Sequence, residues 1–346
     1  MSSIQLWTEG KRNKNRAILI DSYGRKIDYL RISITDHCNL KCVYCTPFCG
    51  RSRLRKSQIL TYEELQQVVE AAVSVGISKI RITGGEPLIR NGVVDFCRMI
   101  SSIQGIKSVA LTTNGVRLEK LAQPLKSAGV KRVNVSLDTL DPGRFKQITG
   151  HDMLPRVFAG IREAEAVGMS PIKINTVVMK GINDDEIAAL AQLTLTKPYH
   201  VRFIELMPSE GWGQLDHRAH FLSAKKILDR IPEIRETRFG RGVDSFGPAR
   251  LFSLPVAAGK IGVIAPVTRH FCSTCNRLRL TADGKLRSCL FAKQELDIKA
   301  RLRQGASTEE LADIFRLAVV QKPERHYLQE SPAGNGPNRA MYAIGG

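Results

Sequence analysis

A chain of 346 residues with 43% hydrophobic content has room for one large domain or two, with a sizeable core. It holds no run of about 18 apolar residues, so no membrane-spanning helix is expected, and its eight cysteines fall in tight clusters that suit metal in a reducing cytosol better than a secreted disulfide scaffold. The net charge of +19 points to an anionic partner, whether nucleic acid, a membrane surface or a polyphosphate.

Residues 1–27 are polar and irregular and read as a flexible lead-in without an apolar leader segment. Next, 29–35 is an apolar, β-branched run that predicts a strand carrying Arg31. Directly after it come Cys38, Cys42 and Cys45, spaced C-x3-C-x2-C. A strand end followed by a compact loop aims three thiolates at one point. Thiolates are soft ligands that suit iron–sulfur clusters, zinc or copper. A cubane 4Fe–4S cluster takes four cysteines, so three would leave one iron open to a substrate or cofactor. A zinc site with a fourth ligand elsewhere is the alternative. Cys49 reads as a free thiol in a loop, because ligation there would close the open iron.

Thr61 and Glu64 form a capping box ahead of a helix whose apolar face is Leu65, Val68, Val69, Ala72 and Val73 and which Gly76 stops. The segment KIRITGGEP, 79–87, is a short strand running into a glycine turn. Further strand-like runs lie at 108–112, 132–137, 172–178 and 201–206, with helix-like runs near 92–104, 117–128, 154–167 and 184–195 between them. Six strands alternating with helices imply parallel βα units, and the fold class expected is α/β, an incomplete (βα) barrel. The polar outliers all fall at strand C-termini: the cysteine loop, Gly84-Gly85-Glu86, Thr112-Thr113-Asn114, Ser136 with Asp138, and Glu205. Functional groups of such barrels sit there.

After about 208 the pattern changes. Residues 223–231 look helical, and 234–268 are Gly- and Pro-rich with β-like runs at 250–254 and 261–264. We place a boundary near 235, giving a partial barrel over 28–234 and a C-terminal region over 235–346. That region holds the second set, Cys272, Cys275 and Cys289, spaced C-x2-C-x13-C. It is either a second open-iron cluster or a zinc site completed by His270. Cys97 lies in an apolar helix and reads as core. The alternation after Cys275 puts Arg277 and Arg279 on one strand face, where two guanidiniums suit phosphate.

The first triplet, with Tyr44 before its last cysteine, resembles the radical S-adenosylmethionine (SAM) superfamily. The wider pattern resembles the GTP 3′,8-cyclase family of molybdenum-cofactor biosynthesis. It rests on Arg31 seven residues before Cys38, KIRITGGEP, LTTNG at 111–115, VSLD at 135–138, Lys173, FIELM at 203–207, the CNRLR segment at 275–279 and the terminal Gly345-Gly346. The resemblance implies two 4Fe–4S clusters with three cysteines each, and SAM held at Tyr44, Gly85, Ser136 and Met207. It implies GTP held by Arg31, Arg81, Thr112, Lys173, Arg277, Leu278 and Arg279, with Gly345 and Gly346 reaching into the active site. It further implies radical cyclisation of GTP in a cytoplasmic monomer or homodimer. The electron donor would be a reductase or flavodoxin-type protein, and the next enzyme a cyclic pyranopterin monophosphate synthase. No nucleic acid or membrane partner is implied. His37 departs from the arginine usual before the first cysteine, and Cys49 is extra. The rivals are a radical SAM peptide-modifying enzyme with an auxiliary cluster and a basic zinc-binding RNA module; aromatics at 6% disfavour the latter.

Overall fold

The computed structural model describes residues 18–45, 53–208, 215–237, 247–326 and 339–345. Cys49, Gly346, residues 1–17 of the lead-in and the tail 329–338 lie outside the described residues.

In β1 (Tyr29–Ser33), Leu30 and Ile32 are fully buried towards the helices, while Tyr29 and Arg31 face the opposite way into a central cavity. The two-residue period repeats in β2 (Lys79–Thr83), β3 (Ser108–Thr113), β4 (Val130–Ser136), β5 (Lys173–Val178) and β6 (His200–Glu205). These six strands lie side by side in chain order and all parallel.

The later strands are β7 (Arg235–Glu236), β8 (Arg250–Ser253), β9 (Lys260–Ile264), β10 (Arg277–Leu280), β11 (Lys285–Arg287) and β12 (Leu296–Asp297). They extend the same sheet. β10 pairs parallel with β1, and β9 pairs parallel with β6. The antiparallel pairs β11–β12 and β8–β7 fringe the two edges. Among the described residues β9 and β10 do not pair, so the barrel stays open along that seam. The described residues of 235–346 therefore build no sheet of their own; they add a wall to each side of the six-strand arc.

Helices cover the outer face: α1 (Tyr62–Ser74), α2 (Val93–Ser101), α3 (Leu118–Ser127), α4 (Pro142–Thr149), α5 (Leu154–Ala166) and α6 (Ile187–Thr196). The α1 capping box forms as expected: Glu64 N–H donates to Thr61 Oγ1 at 3.2 Å, and Thr61 N–H donates to Glu64 Oε2 at 2.7 Å. Its buried face is Leu65, Val68, Val69 and Ala72. Short helices α7 (His217–His220), α8 (Ala224–Leu228) and α9 (Ile298–Arg303) follow, then α10 (Thr308–Val320), which packs on α1, and α11 (Met341–Ile344).

Two local features differ from expectation. The described part of the lead-in, 18–27, is not irregular. It turns back on itself through an Ile20–Lys26 bridge, with Asp21 and Arg25 paired and buried and Ile27 fully buried. Helix α4 was not anticipated, because Pro142, Gly143 and Thr149 are weak helix formers. It forms because Asp141 caps it, Pro142 occupies its first turn, and Gly150 stops it at φ +76°.

Candidate active site

The parallel strands enclose a cavity of about 440 Å³, within the roughly 300–1,000 Å³ usual for ligand pockets. The lumen of a closed βα barrel is filled with branched apolar side chains. Here Arg31, Arg81, Asn134, Lys173, Asn175 and Arg279 point inward instead, and space remains between them.

Cys38, Cys42 and Cys45 line the cavity at the C-terminal ends of the strands. Their loop is clamped to the end of α4: Lys41 N–H donates to Thr149 O at 2.8 Å, and Val43 N–H to Ile148 O at 2.9 Å. On the other side it rests against the glycine turn. Gly85 N–H donates to Thr35 O at 2.6 Å, and Glu86 N–H to His37 O at 2.7 Å. A Cβ at Gly85 would stand 2.2 Å from His37 O, so only glycine permits this approach.

Glu86 is buried and ties three strand ends together. It accepts from Leu88 N–H at 2.9 Å, Thr113 Oγ1 at 2.7 Å and Asn114 N–H at 2.6 Å. Asn114 in turn donates to Asn39 Oδ1 at 2.8 Å and approaches Cys38 Sγ at 3.9 Å. Burial pushes the Glu86 carboxyl up to about 7 despite those donors. Tyr44 Oη donates to Asp138 Oδ2 at 2.7 Å, and Val177 N–H donates to Asp138 Oδ1 at 2.9 Å. Burial raises Asp138 to about 6. Burial, then Asp138, Cys45 and Cys38, push the Cys42 thiol well above its ordinary value.

Cys272, Cys275 and Cys289 line the same cavity from the opposite end. Arg277 lies beside Tyr29 in the β1–β10 register, so Cys275 sits where the strands begin, whereas Cys38 sits where they finish. A five-residue strand separates the two sets by roughly 17 Å at about 3.3 Å per residue. Burial pushes the Cys275 thiol up, but the Lys322 ammonium and the Arg277 guanidinium outweigh it and leave the thiol below its ordinary value. Arg25 fixes the backbone here, donating to Cys272 O at 2.7 Å, Glu324 O at 2.9 Å and Pro323 O at 2.6 Å.

Cations crowd the middle. Burial, then Arg279 and Arg81, hold Arg31 well below the usual guanidinium range, and burial with Arg277 lowers Arg279 to about 10. Arg81 donates to Tyr29 Oη and to Thr112 Oγ1. Arg31 and Arg279 both donate to Gly345 O, at 3.2 and 2.8 Å. Gly345 has φ +77°, and a Cβ there would meet Thr83 Cγ2 at 2.6 Å. The chain end is thereby seated on the paired arginines.

Residues 32–194 match the Radical SAM superfamily and 199–328 match the Molybdenum Cofactor Synthesis C family. Over 330 residues the chain is 46% identical to a GTP 3′,8-cyclase of Heliobacterium modesticaldum, covering 95% of this chain and 100% of that one. The enzyme of the same name from Thermodesulfovibrio yellowstonii is 47% identical over 333 residues, 94% and 99% of the two chains. The chain belongs to the GTP 3′,8-cyclase family. Among solved structures, Streptococcus suis SuiB bound to S-adenosylmethionine shares the fold, with a TM-score of 0.60 at 15% identity over 93% of this chain and 79% of that one.

In this cyclase-family chain all six triplet cysteines and Tyr44, Gly85, Ser136, Met207, Arg31, Arg81, Thr112, Lys173, Arg277 and Arg279 line one cavity. Leu278 does not: its side chain is fully buried on the outer face of β10. Gly345 contributes through its carbonyl, and Gly346 lies outside the described residues. Sequence reasoning missed Lys79, Arg132 and Arg202, which also face the cavity. Their signal was parity, since Lys79 is two residues from Arg81 on the same strand. It also missed Lys322 as a cavity residue, since a lysine just past α10 carries no local signal; Asp138, singled out at the end of the fourth strand, does line the cavity.

Proposed function

We propose that this protein is a radical SAM GTP 3′,8-cyclase that converts GTP into (8S)-3′,8-cyclo-7,8-dihydroguanosine 5′-triphosphate, the first step of molybdenum-cofactor biosynthesis. The observation that carries the reading is the single cavity with a cysteine triplet at each end and a cationic wall between. Cys38, Cys42 and Cys45 would hold the cluster that works with SAM, and Cys272, Cys275 and Cys289 a second cluster facing the substrate. The donor sets suit this. Each triplet consists of cavity-facing thiols within electrostatic range of one another. Soft thiolate sets of three suit a cubane that keeps one iron open to a ligand.

When bound, the first cluster and SAM supply the electron and the 5′-deoxyadenosyl radical that removes the ribose 3′ hydrogen. The chain's own work is to bind and orient. Tyr44, Gly85, Ser136 and Met207 border the cysteine loop and would contact SAM. Arg31, Arg81, Lys173, Arg277 and Arg279 would hold the triphosphate. An anion among them relieves the mutual repulsion that depresses Arg31 and Arg279, so binding energy is available for orientation. Buried Asn134 Oδ1 and Asn175 Oδ1 lack partners among the described residues and can accept hydrogen bonds from a ligand. Gly345, fixed by Arg31 and Arg279, would border the substrate.

A reductase or flavodoxin-type protein would supply electrons, and a cyclic pyranopterin monophosphate synthase would consume the product. No helix among the described residues is long and apolar enough to cross a membrane. The peptide-modifying alternative is not favoured, because the relatives matching nearly the whole chain are GTP 3′,8-cyclases and residues 199–328 match the Molybdenum Cofactor Synthesis C family.

The test is anaerobic turnover with SAM, dithionite and GTP, together with iron and sulfide analysis and EPR of the reduced protein. The expected result is the 3′,8-cyclised nucleotide, about eight irons per chain for two four-iron clusters, and one EPR signal perturbed by SAM and another by GTP. Uncoupled SAM cleavage that ignores GTP would sink the assignment.

A further inference from the structure

We propose that Lys322 is a positioning residue for the second cysteine set, whose fixed positive charge raises the reduction potential of the cluster held there. This rests on the reading that the set binds an iron–sulfur cluster. Lys322 follows α10 and is only 3% exposed. Its ammonium donates to Arg277 O at 2.9 Å and to Ser288 O at 2.6 Å. Those carbonyls lie two residues after Cys275 and one before Cys289, so one side chain pins together the two segments that carry the thiols. Lys322 lines the same cavity as Cys275 and Cys289, so its charge stands beside the segment ends that carry the thiols. The same charge acts on Cys272.

Among the described residues no carboxylate forms an ion pair with Lys322. A buried charge without a counter-charge is costly. The groups that can compensate it are the thiolates and the cluster they would hold. Glu295 and Asp283 are already engaged by Arg287 and Arg339. Reduction adds negative charge to a cluster, and a positive charge a few ångströms away stabilises the reduced form. The first triplet is built the other way: the charged group beside Cys42 is the Asp138 carboxylate, which Tyr44 hydrogen-bonds. The two clusters thus stand in opposite fields, and the second takes an electron more readily.

The experiment compares wild type, Lys322→Met and Lys322→Arg, purified anaerobically, by iron and sulfide content and by EPR-monitored redox titration of each cluster. Lys322→Met keeps the length and removes the charge. Its second cluster is expected to become at least about tenfold harder to reduce, a negative shift of about 59 mV for one electron, with the first cluster unmoved. Lys322→Arg should restore most of the potential. A full iron complement with an unchanged potential in Lys322→Met overturns the proposal. So does loss of the second cluster's iron in both variants, which would mean a packing role. Loss in Lys322→Met with retention and a near-normal potential in Lys322→Arg supports it. Zinc, or about four irons in wild type, would instead overturn the second-cluster reading itself.

Discussion

The two ends of the barrel carry the same ligands in opposite surroundings. At the strand C-termini the Cys42 thiol is driven up by burial and by its acidic neighbour Asp138. At the other end Cys275 is held down by Lys322 and Arg277 against the same burial. Loop geometry differs as well. The first loop is gripped by backbone bonds from α4 and the Gly85 turn, the second by the side chains Arg25 and Lys322. An environment that resists negative charge suits a strong reductant, and one that welcomes it suits a site facing a triphosphate. Equal cysteine counts therefore do not mean equal surroundings, and on the proposed reading these charges divide the labour between two clusters.

The sharpest way to break this comparison is to remove one ligand at each end. Cys42→Ser should abolish reductive SAM cleavage, while Cys289→Ser should keep SAM cleavage and lose the cyclised product. Equal loss of cleavage in both, measured as 5′-deoxyadenosine formed, would erase the distinction.

Next in size is the cationic wall. Arg277→Ala should weaken GTP binding by about 10- to 150-fold, the worth of one charge-assisted interaction of about 1.5–3 kcal/mol, and leave SAM binding unchanged. Calorimetry with each ligand reads both; undiminished GTP affinity would count against the clamp.

Glu86 tests the first end through pH. Its folded value of about 7 lies above the ordinary 4.5, so the fold favours the protonated form. Its contribution is full below the unfolded value and is lost as pH rises through about 7, at most about 3 kcal/mol in total. Stability of the apo protein should fall over that window, and Glu86→Gln should flatten the fall in a denaturant series. An unchanged slope would mean Glu86 titrates normally.

Gly345→Ala probes the seat of the chain end. A left-handed backbone position costs an alanine about 1–2 kcal/mol, and its Cβ would strike Thr83. The tail should leave its seat rather than bear that cost, so GTP turnover should drop while thermal stability of the rest of the fold hardly moves; a matching loss of stability would mean the tail is only a structural plug. The smallest effect is the control. Thr61→Ala removes the α1 cap, which is not part of the cavity lining, and should lower stability by about 1 kcal/mol with both ligand affinities intact.

Much of this was legible in the chain. The cysteine spacings, the capping box at Thr61 and the alternation that turns Arg277 and Arg279 inward are local signals, set by a few neighbouring residues. Helix α4 was missed because its residues are poor helix formers, though Asp141 and Pro142 announced its start. Lys79, Arg132 and Arg202 were missed because parity gives only the strand face they share, and a cation looks the same whether that face meets water or a cavity.

By itself, then, the sequence determined the six parallel βα units, the two thiol triplets and an anionic ligand, since each follows from local period, spacing or charge. The tertiary structure alone decided that β10 would pair with β1 and β9 with β6, which puts the triplets at opposite mouths of one lumen. It alone brought Gly345 onto Arg31 and Arg279, and Lys322 between Arg277 and Ser288. The physical reason is range: these contacts join residues tens to hundreds of positions apart, and only the closure of the sheet makes them neighbours.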